Sequence, residues 1–111
     1  MKTISQLAGC GSYLPRNVVT NDDLAKKVDT TDEWIIARTG VKQRHFVADE
    51  EFTSDIALEA SKHALEHAGV DGAEIDLIVV GTTTPDRTFP ATAVRLQKDL
   101  GCGSGAAFDV Q

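Results

Sequence analysis

The chain has little of what would mark a disulfide-stapled, metal-built or membrane-spanning protein. Its two cysteines, Cys10 and Cys102, stand far apart without a CxxC partner, so neither a disulfide scaffold nor a thiolate metal site is expected. No apolar run is long enough to span a bilayer, and residues 1–6 lack the apolar stretch of a signal peptide. No membrane partner is therefore expected, and a cytoplasmic location is. Basic residues are fewer than acidic ones, 11 against 17, and the net charge of -6 argues against nucleic acid as the main partner. Internal repeats and low-complexity tracts are also missing, which leaves at most one domain in 111 residues.

What is present reads as an α/β unit. Residues 4–8 are expected to form a first strand, closed by Gly9-Cys10-Gly11-Ser12 and a turn at Pro15, after which Thr20 or Asn21 can cap a short helix to about residue 28. A second helix is expected over residues 31–39. Thr30 and Glu33 have capping-box spacing, Asp32 and Glu33 suit its positive end, and Gly40 can supply the left-handed residue that ends it. Residues 41–48 read as extended. From Thr53, an apolar helical face of Ile56, Ala57, Ala60, Ala64, Leu65 and Ala68 runs to a stop at Gly69. Leu77-Ile78-Val79-Val80 shows no alternation, which predicts a strand buried on both faces of a parallel sheet. Pro90 opens a helix over residues 91–100 ended by Gly101, and residues 106–110 form the next strand. These elements are too few to cover both faces of a buried sheet, so the chain reads as part of a larger protein.

Trp34 and Arg38, four residues apart, share one face of the second helix. An indole offers a stacking surface and a guanidinium a fork of donors, a pair suited to an adenine nucleotide carrying phosphates. The same spacing also suits a surface pair in which Arg38 simply lies over Trp34. Arg38, Lys42 and Arg44 form a local basic cluster in an acidic chain, either a solvated face or a docking patch for an anionic partner. Cys10 has no base near it in sequence and reads as a packed small residue, and Cys102 as structural. Glu59, His63 and His67 are spaced by fours but lie at the wet margin of their helix, so they read as a solvated edge and no metal site is expected. His45 has no partner that spacing assigns. Phe89, on a loop after Thr82-Thr83-Thr84-Pro85, either covers the local core or reaches into a pocket or across a subunit contact.

In order and spacing, Gly9-Cys10-Gly11-Ser12-Tyr13-Leu14-Pro15, Thr20-Asn21, Asp29-Thr30-Thr31-Asp32-Glu33-Trp34-Ile35, Arg38-Thr39-Gly40, Arg44-His45, Leu77-Ile78-Val79-Val80, Phe89-Pro90 and Ala107-Phe108-Asp109-Val110 resemble the amino-terminal part of the β-ketoacyl-acyl-carrier-protein synthase III family. The departures are mild, Cys10 and Gln111 standing where smaller residues are common. The resemblance implies a thiolase-like layered α/β/α fold with a mostly parallel mixed sheet, residues 1–111 being an incomplete amino-terminal thiolase-like domain. It also implies a homodimer that condenses acetyl-coenzyme A with malonyl-acyl carrier protein to start fatty acid synthesis. Trp34, Arg38 and Thr30 would then hold coenzyme A, which is a thioester substrate rather than a bound cofactor. Phe89 would reach the acyl pocket of the partner subunit, and Lys42 and Arg44 would help receive the acidic carrier protein. The expected cysteine, histidine and asparagine of catalysis lie downstream, the cysteine just past residue 111, so no catalytic residue is expected in this chain and the remainder of the enzyme is its first partner. Rival expectations are a hydroxymethylglutaryl-coenzyme A synthase, a polyketide starter enzyme, or a non-catalytic module that binds coenzyme A or carrier protein.

Overall fold

Two glycines punctuate the helices as their sequence positions predict: Gly40 and Gly69 sit at helix C-caps with φ of 70° and 65°, in the left-handed region that a side chain disfavours. The structure, a computed structural model, describes residues 2–111. They form two units, one of Leu14–Glu51 and one joining the residues up to Tyr13 with Phe52–Gln111.

In Leu14–Glu51, strand β1 (Asn17–Thr20) pairs antiparallel with β2 (Gln43–Phe46), placing Val19 opposite Arg44. Helices α1 (Asn21–Ala25) and α2 (Asp32–Thr39) lie between them in sequence. Thr20 caps α1 reciprocally with Asp23: its hydroxyl accepts from the Asp23 N–H at 3.1 Å while the Asp23 carboxylate accepts from the Thr20 N–H at 3.2 Å. Hydrogen bonds from Thr20, aided by Lys26, lower the Asp23 pKa from 3.8 to about 2. The helix stops at Ala25, short of the expected residue 28, because residues 26–29 continue as turns and bends. Asn21, 1% exposed, is the polar hub of the unit. Its amide donates to Asp32 and to the Val41 carbonyl, both at 2.8 Å, and its side-chain oxygen accepts from Arg44 at 2.6 Å. Three of the four hydrogen bonds open to this buried amide go to the start of α2 and the chain that follows it.

In the other unit, β3 (Leu77–Gly81) and β4 (Ala106–Val110) form a parallel pair with Val79 opposite Phe108. Helix α3 (Thr53–Ala68), a 3-10 turn (Gly72–Glu74) and α4 (Thr92–Asp99) complete it. Ala93 and Leu96 of α4 are buried, and burying a leucine contributes about 1.5–3 kcal/mol. Along both strands burial alternates, Ile78, Val80, Ala107 and Asp109 being sheltered while Leu77, Val79, Phe108 and Val110 are exposed. One bare face is what the shortage of covering elements in the sequence leads to expect. The aliphatic run is a strand, but helices cover one side of its pleat only.

Residues 4–8 form no strand either, and Ile4 and Leu7 are more than four-fifths exposed. A strand needs a ladder partner, and among the described residues none pairs with this segment. The segment is instead held just downstream, where it crosses α3. Gly9 lies so close that an added Cβ would meet the Ala64 carbonyl and Ala68 at 2.8 Å, and Gly11 approaches the backbone of Ala60 and Ala64 still more closely. The alanine face of α3 is thus a track for a glycine-bearing segment. His63 Nδ1 lies 2.7 Å from the Ser12 carbonyl, and the Cys10 N–H donates to His67 Nδ1 at 3.1 Å. Both histidines are exposed, as the wet margin of the helix predicts, and each also bonds to the segment that crosses it, while Glu59 pairs with Lys62 at 2.7 Å.

Candidate functional site

Helix α2 carries the pair that the sequence singles out. Its cap is Thr31, whose hydroxyl accepts from the Trp34 N–H at 3.2 Å, so the Thr30–Glu33 capping box expected from spacing does not form. The shift by one residue has a consequence for Thr30: its hydroxyl is buried and has no hydrogen-bond partner among the described residues. Asp32 and Glu33 occupy the first turn and Arg38 the last, each at the dipole end that favours its charge. Thr39 closes the helix, donating to the Ile35 carbonyl at 2.8 Å and accepting from Val41 N–H at 3.1 Å. Ile35 turns inward, 7% exposed, which forces its neighbour Trp34 outward.

Arg38 lies over the Trp34 ring with its guanidinium carbon 4.2 Å from the ring centroid. Trp34 is nonetheless 53% exposed and Arg38 is exposed. The pair therefore presents to solvent a flat π surface with a fixed positive charge stacked on it, a cation–π contact worth about 0.5–1 kcal/mol at an exposed site. A base can stack on the indole while the guanidinium donors, which have no carboxylate partner among the described residues, remain available to phosphate oxygens. Thr30 adds a hydroxyl on the segment leading into the same helix.

The rest of the basic cluster divides. Lys42 is exposed, whereas Arg44 is half-buried and turned inward, donating to the Val19 carbonyl at 3.2 Å and to Asn21 at 2.6 Å. His45 finds a partner that spacing could not assign, the Pro15 carbonyl at 2.6 Å from Nδ1. Cys10 is exposed rather than packed, with its sulfur 3.7 Å from His67 Nδ1. Cys102 is half-buried and unpaired.

Phe89, in the other unit, is 86% exposed at the tip of the turn between β3 and α4 and precedes a cis peptide to Pro90. It does not cover the core. Two carboxylates that spacing did not single out hold the ends of this turn. Asp109, on β4, accepts from the Thr92 and Ala93 N–H groups at 2.8 Å each and so caps α4, whose own N-cap residue is an alanine. Burial pushes the Asp109 carboxyl up, but the Ala93 and Thr92 backbone donors outweigh it and hold the group below its ordinary value. Asp86 accepts from the Ser54 N–H at 3.0 Å at the start of α3, and also from the Ser54 hydroxyl. A helix start with alanine at its cap was the available signal that an acid must arrive from elsewhere in the fold. Among the described residues no helix is long and apolar enough to cross a membrane.

No family model matches the chain. A β-ketoacyl-acyl-carrier-protein synthase III of Hyphomonas neptunium is 62% identical over 107 residues, covering 96% of this chain and 33% of that protein. The solved 3-oxoacyl-acyl-carrier-protein synthase III of Aquifex aeolicus is similar in fold with a TM-score of 0.85 at 47% identity, covering 93% of this chain and 33% of that one. A priming β-ketosynthase of a polyketide biosynthetic pathway gives a TM-score of 0.87 at 41% identity over 95% of this chain and 31% of its own. The chain thus spans about a third of the length of the relatives it matches. In sequence and in fold, these 111 residues are a relative of the amino-terminal third of the thiolase-fold β-ketoacyl-acyl-carrier-protein synthase III enzymes.

Proposed function

We propose that this chain is the coenzyme A-gripping and assembly-forming portion of a β-ketoacyl-acyl-carrier-protein synthase III, an acyltransferase that condenses acetyl-coenzyme A with malonyl-acyl carrier protein, with loss of carbon dioxide. The observation that carries the reading is the outward Trp34–Arg38 stack, an aromatic surface and a free guanidinium at 4.2 Å on one short helix. The indole stacks on the adenine, Arg38 meets the phosphates, and Thr30, whose hydroxyl is turned inward, lines the same site from the segment leading into the helix. Phe89 enters the acyl pocket of a second subunit, and Lys42 contributes to the approach of the acidic carrier protein. Arg44 contributes to that approach through the surface it holds in shape, since its own donors are engaged by Val19 and Asn21. The nucleophilic cysteine, the histidine and the asparagine come from the polypeptide beyond this segment. The exposed apolar face of Leu77, Val79, Phe108 and Val110 supports a larger enzyme over a freestanding binding module.

In the complete enzyme, Trp34→Ala is expected to weaken coenzyme A binding by about 1–3 kcal/mol, the range found when an aromatic stacking partner of a base is truncated. Calorimetric titration with coenzyme A tests it. Unchanged affinity removes the clamp. A second reading, a starter enzyme for polyketide synthesis, is favoured by the likeness to a priming β-ketosynthase. Rates with acetyl-coenzyme A against longer acyl primers separate the two.

A further inference from the structure

The turn that carries Phe89 is tied at both flanks and open at its tip. On the β3 side, the Thr82 N–H donates to the Val110 carbonyl at 3.0 Å and the Thr53 hydroxyl donates to the Thr84 carbonyl at 2.6 Å. Asp86 then makes the densest set of contacts in the turn. One carboxylate oxygen accepts from the Ser54 N–H at 3.0 Å, and the other accepts from the Ser54 hydroxyl and from Arg95 at 3.2 Å. Arg95 also reaches Asp55 at 3.1 Å and Asp99 at 3.6 Å, so a single guanidinium on α4 joins the turn to both helices. On the α4 side, Asp109 grips the N–H groups of Thr92 and Ala93. Between these holds, Arg87, Thr88, Phe89 and Pro90 are exposed.

Asp86 differs from an ordinary surface ion-pair partner. Its side chain is 11% exposed and it rests on Ser54, which is 2% exposed, so its two Ser54 bonds are sheltered, while the bond from the 46% exposed Arg95 faces water. The acid stabilises the N-terminus of α3 rather than its own segment, which locks the turn to a helix distant in sequence. Phe89 follows three residues later, within about 10 Å of chain, so the anchor at Asp86 limits how far the ring can travel. Resting on the reading of Phe89 as an acyl-pocket residue, we propose that Asp86, clamped by Ser54 and Arg95, is a positioning residue that sets the reach of Phe89 and thereby the size of acyl primer the enzyme accepts. It touches no reacting atom and acts through the aromatic ring alone. One methylene in an apolar pocket changes selectivity by about 10-fold or more, so a small retreat of the ring is readable as a changed primer ratio.

The experiment compares kcat/KM for acetyl-, butyryl- and hexanoyl-coenzyme A in the complete enzyme and in Phe89→Ala, Asp86→Ala, Arg95→Gln, Arg95→Lys and the Phe89→Ala, Asp86→Ala double variant. Phe89→Ala is expected to move the hexanoyl-to-acetyl ratio about 10-fold towards the longer primer. Asp86→Ala should move it the same way and add little on the Phe89→Ala background, while Arg95→Gln gives a smaller shift that Arg95→Lys restores. If Phe89→Ala moves the ratio but Asp86→Ala lowers all primers equally, or adds its full effect in the double variant, the positioning role is overturned and the pocket reading stands. If Phe89→Ala leaves the ratio unmoved, the pocket reading falls and the inference with it. Should Asp86→Ala not fold, Arg95→Gln, which spares the Ser54 bonds, is judged by the same ratio and the same additivity.

Discussion

Helices α2 and α4 have the same length, eight residues, but hold their N-termini by opposite means. α2 is capped from within, by Thr31 next to it in sequence, and is closed by Gly40. α4 begins at an alanine cap with no side-chain bond of its own, and its first N–H groups are taken by Asp109, 16 and 17 residues further along the chain. A locally capped helix can form its first turn before the rest of its unit is in place. A helix capped by a strand is correctly oriented only once β4 has paired, so its geometry reports on the sheet. The difference matches what each presents: α2 carries the exposed Trp34–Arg38 pair on a helix with its own cap, steadied within its unit by Asn21, while α4 and the Phe89 turn are set by the sheet and by α3.

Removing the borrowed cap should have the largest effect. Asp109→Ala leaves two N–H groups at the buried start of α4 without their charged acceptor and is expected to cost about 2–3 kcal/mol, measured by denaturant unfolding of the complete enzyme. Asp109→Asn should recover part of that. A loss below that of a surface substitution would erase the contrast between the helices. Removing the local cap is a smaller change: Thr31→Ala is expected to cost about 1 kcal/mol, and Thr30→Ala less, because the Thr30 hydroxyl has no hydrogen-bond partner among the described residues. Equal losses at the two threonines would return the cap to Thr30.

Acid sharpens the same comparison with the smallest effect. The folded-state pKa of Asp109 is depressed, so its contribution to stability is present above the unfolded carboxylate value and disappears as pH falls through the folded one. Asp23, which caps α1, follows the same sign with a window from 3.8 down to about 2. The hydroxyl cap of α2 does not titrate. An NMR titration should therefore show the Thr92 and Ala93 amide resonances moving with a midpoint below the ordinary carboxylate value. A midpoint at or above it would mean that those amides do not hold the acid.

Much of this was readable in the chain. The apolar period of α3, the stops at Gly40 and Gly69, and the aliphatic run of β3 all rest on interactions within a few residues, and the structure places each close to where spacing predicts. The direction of Trp34 and Arg38 follows from i,i+4 geometry in the same way. What spacing did not give concerns longer range. His63 and His67 are exposed at the wet margin of their helix as spacing predicts, and there they meet Ser12 and Cys10 across 51 and 57 residues. Arg44 reads as a surface charge in a basic cluster until Asn21 draws it inward.

By itself, the sequence determined the helices, the stops at Gly40 and Gly69, the outward pairing of an indole with a guanidinium, and the kinship with synthase III enzymes, because each depends on local periodicity or on the order of motifs. Only the tertiary structure decided that residues 4–8 are not a strand, which residues of the β3–β4 pair lie on its bare face, and that Asp86 and Asp109 brace the turn bearing Phe89. Hydrogen bonds and burial between distant segments exist only after the chain has closed its loops, and no local pattern encodes which remote partner a polar group will meet.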